Sequence, residues 1–436
     1  MRFEISGQGS RSKATSHGGS SLALGFCLIL VLLIFGCSSY TSTTRSARDE
    51  FYSGKYTDAA KRLEKGAHED GVDQLLYLFD RATALHHAGE YEESNKDFHL
   101  ADKLAEIKDY TSLATEVATL VTNDKIIPYK GEDFEKTLIP QYLALNYLML
   151  GKHEDALVEC RRVNHKLHLM ITQGQRKYQL NPMASYLAAI LYEDNREWDH
   201  AYIDYQAVKK LLPELSYLRE DLYRLAWRNK IREDMQRWAE EFGLSAEEQK
   251  RIRDTANKPE IIVIIENGRS PEKQPHPTWT ALPRYVPRYN PVSQLEVTVN
   301  QETLGLSQTL FDVEKTAIQN LDDKFAGILA KKVGGVVAKE VVAHQIGKRT
   351  DPIIGALAWL GMHAVNQADL RSWLTLPKDF QIFRVRVEPA ESYTIRIRPK
   401  SFDDREVASS SGVIEKIVRF DPSRKEKRIF VPVRVM

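Results

Sequence analysis

The chain has 436 residues, of which 42% are hydrophobic and 28% are charged, and its formal net charge at pH 7 is +1. This balance argues against a general nucleic-acid-binding function, which favours a strong excess of Lys and Arg. The length allows two or three domains, and the 3 cysteines are too few for a disulfide framework.

The first predicted element is an uncharged apolar run that extends from Leu22 to Phe35. It covers about 14 residues, whereas a helix that crosses a bilayer needs about 20. Positive residues precede the run, and the small residue Gly36 follows it. This pattern is typical of a cleaved secretory signal peptide. The alternative is an uncleaved membrane anchor that carries a chance cysteine.

The four residues from Ile34 to Cys37, Ile-Phe-Gly-Cys, resemble the lipobox of bacterial lipoproteins. The resemblance implies that residues 1–36 are a lipoprotein signal peptide and that Cys37 carries acyl chains such as palmitate. More than one acyl chain gives stable anchoring. Ser38 after the cysteine implies sorting to the outer membrane, facing the periplasm. Cys160, left without a partner, is predicted to be a small buried residue.

Residues 37–48 are rich in Ser and Thr and predict a tether, and a helical repeat domain is predicted from 49 to 257. Similar segments begin at Ser53, Ala88, Leu150 and Asp194. Each has a turn residue, then an aromatic residue or His, then a small residue about three positions later. Helical periodicity puts the small residue on the packing face, where it allows two helices to approach closely.

The pattern resembles the tetratricopeptide repeat (TPR), a helical hairpin of about 34 residues. Stacked repeats form concave surfaces that bind other proteins, so a protein partner is expected in the groove. The residues predicted to pack within the repeats are Tyr56, Ala59, Tyr91, Ala156, Tyr192, Trp198, Ala201, Tyr205 and Pro213.

Three histidines of this half, His86, His87 and His153, stand at no metal-ligand spacing with a Cys or carboxylate set. They are therefore predicted to be core side chains, and no metal or other cofactor is expected.

A second domain, α+β, is predicted from 258 to 436. The β-branched run "EIIVIIENG" predicts a strand and a turn, and "QLEVTVN" predicts another strand. Between them, the proline-rich connection 270–292 favours extended backbone. Apolar residues at every third or fourth position predict a helix over 307–347, and a second apolar helix is predicted near 353–365.

The segment "FQIFRVRVEPAESYTIRIRP" alternates apolar and polar residues and predicts a half-buried β-hairpin. Arg384, Arg386, Arg396 and Arg398 would share its exposed face. One interpretation is a solvated face that protects the sheet from pairing with neighbours. The other is a docking surface for an anion, such as lipid phosphate or the carboxylates of cell-wall peptide. With two further strands, the domain is predicted to contain an antiparallel sheet or sandwich.

The stretches "VIIENGRSP", "PRYNP" and "ADLRSWLTLP", the last with Asp369, Arg371, Trp373, Leu376 and Pro377, resemble a family of bacterial outer-membrane lipoproteins. In that family a TPR-like half precedes this same α+β tail. The resemblance brings no assigned activity. It implies an association with small lipoproteins similar to curli-export and cell-wall-synthase-activator components, and hence a cell-envelope assembly or export system. Within the last stretch, Asp369 is expected to cap or pair with Arg371, and Trp373 is expected to close the core.

Motifs for chemistry are missing from the sequence. It contains no glycine-rich phosphate loop, no H-E-x-x-H and no G-x-S-x-G, so no enzymatic activity is predicted. Carboxylate pairs that cleave glycans need only proximity in space. Two hypotheses follow: a lipid-anchored periplasmic scaffold or adaptor, and a lipoprotein that binds or hydrolyses cell-wall peptidoglycan.

Overall fold

The structure, a computed structural model, describes residues 40–110, 128–172, 181–325, 327–328, 368–403, 407, 412–420 and 427–436. The predicted signal peptide, Cys37 and the predicted helix at 353–365 lie outside these residues. The chain divides into two compact units, Met1–Arg45 and Ser46–Met436. In the first, helix α1 covers Tyr40–Thr43.

Helix α2, Arg45–Tyr52, begins inside the segment predicted to be a tether. The helices that follow are α3 (Tyr56–His68), α4 (Gln74–Ala88), α5 (Tyr91–Tyr110), α6 (Asp133–Met149), α7 (His153–Thr172), α8 (Pro182–Asp194), α9 (Trp198–Leu211), α10 (Leu218–Arg228), α11 (Arg232–Glu241) and α12 (Ala246–Thr255).

One turn geometry recurs where α2, α4, α6, α8 and α10 are each joined to the next helix. A residue with positive φ stands in each turn: Gly54, Gly89, Gly151, Arg196 and Lys230. The next residue's N–H then bonds to a carbonyl five residues back, as Glu90 does to Leu85 at 2.9 Å. This is the Schellman arrangement that ends a helix. Each turn reverses the chain between two packed helices, and the helices together form a TPR-like array of hairpins.

Small residues lie at the contacts within the hairpins. Ala59, Ala156 and Ala201 are completely buried, and so is Tyr205. Tyr192 is buried, Tyr56, Tyr91 and Trp198 are half-buried, and Pro213 is exposed. Tyr56, Tyr91 and Trp198 are each the first residue of a second helix, as the repeat pattern predicts.

After α12 the chain forms strands. They are β1 (Glu260–Asn267), β2 (Glu272–Pro275), β3 (Pro283–Val286), β4 (Gln294–Val299), β5 (Glu302–Leu306), β6 (Gln308–Asp312), β7 (Asp379–Arg386), β8 (Ser392–Lys400), β9 (Ile414–Arg419) and β10 (Arg428–Val435).

Two four-stranded sheets pack against each other. The inner sheet has the order β10-β1-β7-β6, and the outer sheet has the order β5-β4-β8-β9. Pairing within them is antiparallel except between β1 and β10, which are parallel. The core between the sheets contains Ile261, Val263 and Ile265 of β1, together with Val297 and Ile395 of the outer sheet.

The opposite side of the inner sheet faces the helices. Every residue of β1 is buried, because the outer sheet covers one of its faces and the helical array covers the other. The second unit is therefore layered as helices, inner sheet and outer sheet, an α+β architecture.

The predicted β-hairpin is wrong. Strand β7 pairs with β1 and β6 in the inner sheet, whereas β8 pairs with β4 and β9 in the outer sheet. Residues 387–391 thus carry the chain between sheets. The alternation predicts that the polar side of β7 faces water, but the arginines of that side lie against helices.

The start of the predicted long helix is also wrong. Residues 308–312 form β6, which pairs with β7, and helix begins at residue 313. Asp312 accepts a hydrogen bond from the Lys315 N–H at 2.8 Å and so ends the strand with a helix cap. The helix is described to residue 325 and at 327–328.

The proline-rich connection contains the short hairpin β2–β3. Tyr285 is buried, whereas Trp279 and Tyr289 are exposed. Over the described part of the chain, no helix is both long and apolar enough to cross a membrane.

Candidate functional site

The first helices of the hairpins, α4, α6, α8 and α10, face the C-terminal half of the chain. We call their shared side the inner face. In helical-repeat proteins such a surface is the usual binding surface for a partner. Here residues 368–376 and the inner sheet lie on it, in three clusters of contacts.

The first cluster surrounds Trp373. Its ring stacks on Phe79 of α4 with the centroids 4.4 Å apart, and its indole N–H donates to Thr83 at 3.0 Å. The backbone N–H of Trp373 donates to Glu135 of α6 at 2.7 Å. Nearby, Thr375 donates its hydroxyl to Asp80 at 2.8 Å. Residues 368–376 are therefore bound by two successive hairpins.

Arg371 extends this cluster to the start of α4. Its guanidinium bonds to Asp369 at 2.7 Å and to Asp73 at 2.9 Å. Burial by itself would lower the pKa of Arg371, but the two carboxylates outweigh it and raise that pKa above its usual value. The pair of Asp369 and Arg371 agrees with the expectation from the sequence, whereas the contact with Asp73 was not anticipated.

The second cluster centres on Glu266, at the end of β1. Tyr142 of α6 donates to its Oε2 at 2.6 Å. The Nε2 atoms of His86 and His87 lie 3.1 and 3.3 Å from its two oxygens. Glu266 is 3% exposed. The prediction that His86 and His87 are core side chains is confirmed, since their side chains are 3% and 7% exposed. With Glu266 they form a group that can hold a metal ion, which their spacing in the sequence does not indicate.

The third cluster joins α8 and α10 to the inner sheet. Arg384 bonds to Asp221 of α10 and to Glu260 of β1, both at 2.8 Å. Arg428 of β10 bonds to Glu260 at 3.1 Å and to Glu193 of α8 at 3.0 Å. Burial alone would raise the pKa of Glu193, but the surrounding guanidinium groups outweigh it and lower that pKa to about 2.

The four arginines predicted to share an exposed face are separated. Arg384 is only 6% exposed, and Arg386 bonds to Glu220 of α10 at 3.0 Å. Arg396 and Arg398 lie on the outer sheet.

Each of these two outer-sheet arginines has a carboxylate partner. Arg396 bonds to Glu415 at 2.6 Å and Arg398 to Glu296 at 3.3 Å. The single basic face does not form, because β7 and β8 belong to different sheets.

A cavity of about 140 Å³ opens at the third cluster. Basic groups predominate among its lining residues: Arg196, Arg228, Lys258, Arg386, Lys427 and Arg428 line it with Glu193, Asp194 and Glu260. Arg228 lies over the rings of Trp198 and Trp227, each centroid at 5.0 Å. Of the four predicted arginines, Arg386 alone lines this cavity, which is suited to a small anion.

The location predicted for partner binding thus needs correction. The inner face of α4, α6, α8 and α10 is covered by the chain's own C-terminal half. Sequence reasoning missed this because the contacts join residues far apart, such as His86 and Glu266, 180 positions apart. Glu260 and Glu266, two glutamates in a buried strand with an apolar centre, are the signal that could have indicated buried partners.

No protein-family model matches the chain, and no curated protein matches it. Among solved structures, one similar chain is a protein from Podosopora anserina whose own TPR-like repeats are nearly identical to one another. It is 14% identical to this chain, the match covers 50% of this chain and 95% of that chain, and the TM-score is 0.31. MamA from Desulfovibrio magneticus RS-1 is 15% identical, with 49% and 97% covered and a TM-score of 0.32. The apo form of RapI is 12% identical, with 54% and 60% covered and a TM-score of 0.35.

Proposed function

We propose that this protein is a non-catalytic scaffold of the bacterial cell envelope. Acyl chains on Cys37 would hold it at the outer membrane, and its helical repeats would bind a protein partner in the periplasm. The observation that carries the proposal is the array of hairpins with one recurring turn, because such arrays are used to bind other proteins.

The partner would bind on the outside of the array, since the inner face is already covered. Val158 of α7 and Ile203 of α9 are 51% and 61% exposed. They are apolar residues on the second helices of successive hairpins, and exposed apolar surface is a common feature of interaction sites.

Site-specific photo-crosslinking in intact envelopes tests this surface. A photo-reactive residue at Val158 or Ile203 of the full chain should give the same crosslinked product. The matched control is Tyr289, which is 89% exposed and lies outside the repeats. Equal crosslinking from all three positions, or none from the repeat positions, would contradict the proposal.

The anchor needs a separate test. Incorporation of labelled palmitate and sedimentation with outer membranes are expected for the unchanged chain and not for Cys37→Ser. A soluble, unlabelled chain in both cases would contradict the lipid anchor and leave the scaffold proposal to be decided by the crosslinks.

The basic cavity favours a second candidate, binding to the carboxylates of cell-wall peptide. Arg196 and Lys427 line it and are exposed, so their replacement should not disturb folding. The variant Arg196→Gln/Lys427→Gln should sediment less with purified cell-wall sacculi than Arg396→Gln, which changes an arginine elsewhere. Equal sedimentation would exclude the cavity as a wall-binding site.

A further inference from the structure

We propose that His86, His87 and Glu266 bind one divalent metal ion of the zinc class at the contact between the helical array and the inner sheet. The candidate ligand atoms of the three residues lie within 4.8 Å of one another. Imidazole nitrogens with a carboxylate oxygen are a ligand set that Zn²⁺ accepts. The proposal goes beyond the scaffold function and does not depend on it.

The hydrogen bonds of His86 determine which of its nitrogens carries a proton. Asn146 directs its amide NH₂ toward Ser94 and Asn95, at 2.9 and 2.8 Å. Its Oδ1 therefore faces His86 and accepts from Nδ1–H at 2.6 Å. The other ring nitrogen, Nε2, then faces the Glu266 carboxylate, 3.1 Å away, and takes no part in the hydrogen bond to Asn146.

His87 presents a second nitrogen to the same carboxylate. Its side chain is 7% exposed, and its Nε2 lies 3.3 Å from Glu266 Oε2. Even so, this buried nitrogen makes no hydrogen bond. A buried polar atom without a partner is costly, and a metal ion would supply the partner.

A metal ion would coordinate both nitrogens and the carboxylate at once. Ligands about 2.0–2.2 Å from a tetrahedral Zn²⁺ stand roughly 3.3–3.6 Å apart. The nitrogen–oxygen distances of 3.1 and 3.3 Å already approach that separation. The Asn146 contact is the kind of outer hydrogen bond that orients a ligating histidine.

Two further groups bear on the strength of binding. Arg434 Nη1 lies 3.7 Å from Glu266 Oε2, and its positive charge would weaken the binding of a cation. Tyr142 donates to the same oxygen, so the Oε1 side is the more available one. Since His86 and His87 belong to α4 and Glu266 belongs to β1, the ion would join the two halves of the chain and stabilise their contact.

Metal content of the full chain tests the proposal. The chain is incubated with Zn²⁺, freed of unbound metal by gel filtration, and assayed by mass spectrometry of the element. One zinc ion per chain is expected for the unchanged protein, and less than a tenth of that for His87→Gln. His153→Gln is the matched control, because His153 also faces a carboxylate, Asp194, at 3.8 Å, outside this group.

Equal zinc content in His87→Gln and in the unchanged chain would overturn the proposal, as would no retained zinc in either. If His87→Gln fails to fold, a Co²⁺ titration of the unchanged chain decides instead. A visible absorption band that saturates at one equivalent supports a tetrahedral site with nitrogen ligands. The absence of any such band would overturn it. Removal of the metal with a chelator should lower the midpoint temperature of thermal unfolding only in chains that hold the metal.

Discussion

The indole ring of Trp373 stacks on the ring of Phe79, with an angle of 15° between the planes and 4.4 Å between the centroids. The first residue is in the C-terminal half and the second is in α4. Trp373 is 1% exposed and Phe79 is completely buried. A side chain of the C-terminal half is thus part of the hydrophobic core of the helical array.

Replacement of Trp373 should therefore destabilise the whole unit. Trp373→Ala removes a large buried side chain and its hydrogen bonds to Thr83 and Thr375, and we expect a loss of about 3–5 kcal/mol in the free energy of unfolding. Urea denaturation followed by circular dichroism measures it. The control is Trp279→Ala, at 51% exposure, which should change stability by about 0.5 kcal/mol or less. Similar losses in both variants would contradict the prediction.

Arg384→Gln should cost far more than Arg396→Gln. Arg384 compensates the buried carboxylates of Asp221 and Glu260, and the loss of one partner of a buried ion pair costs about 3–5 kcal/mol. The exposed pair of Arg396 and Glu415 contributes only about 0–1 kcal/mol. The same denaturation experiment compares the two. Near-equal costs would show that Arg384 does not hold the helices to the sheet.

Acid should weaken the contact between the helices and the inner sheet. The pKa of Glu193 is lowered to about 2, since surrounding arginines outweigh its burial, whereas an unfolded Glu titrates near 4.5. Between pH 4.5 and about pH 2, Glu193 therefore binds more protons in the unfolded chain than in the folded chain. The stability that its ionised form contributes is complete above pH 4.5 and is lost as the pH falls toward 2.

Midpoint temperatures measured from about pH 6 to about pH 3, across the range in which an unfolded Glu takes up its proton, check this. Glu193→Gln should be less stable than the unchanged chain at the upper end of that range and should lose less stability toward the lower end. Parallel curves for the two chains would mean that Glu193 has no part in the acid response.

Local features of the fold were predictable from the sequence, and the relation between layers was not. The repeat segments are recognisable in the sequence because the turn residue, the aromatic residue and the small residue lie close together in the chain. Strand β1 is recognisable from its β-branched run. These signals arise from interactions within one or two neighbouring elements.

The contacts of Arg384 and Glu266 show why the rest was missed. The alternation along β7 correctly predicts that Arg384 and Phe383 lie on opposite faces of the strand. It cannot show whether the polar face contacts water or a layer of helices. Similarly, His86 and Glu266 meet only because β1 packs across α4 and α6. Nothing in the spacing of these residues encodes that arrangement.

The turns of the hairpins differ in backbone strain. Arg196 and Lys230 adopt φ of 61° and 58° where earlier hairpins have glycine. A side chain in this left-handed region costs about 1 kcal/mol or more relative to glycine, so Lys230→Gly should stabilise the chain. Gly151→Ala is the opposite change at an equivalent turn, with φ of 68° and open space around the added carbon. It should destabilise the chain by about 1 kcal/mol through backbone strain alone. Thermal unfolding of both variants tests the common turn, and the same sign of change in both would show that the turns are not equivalent.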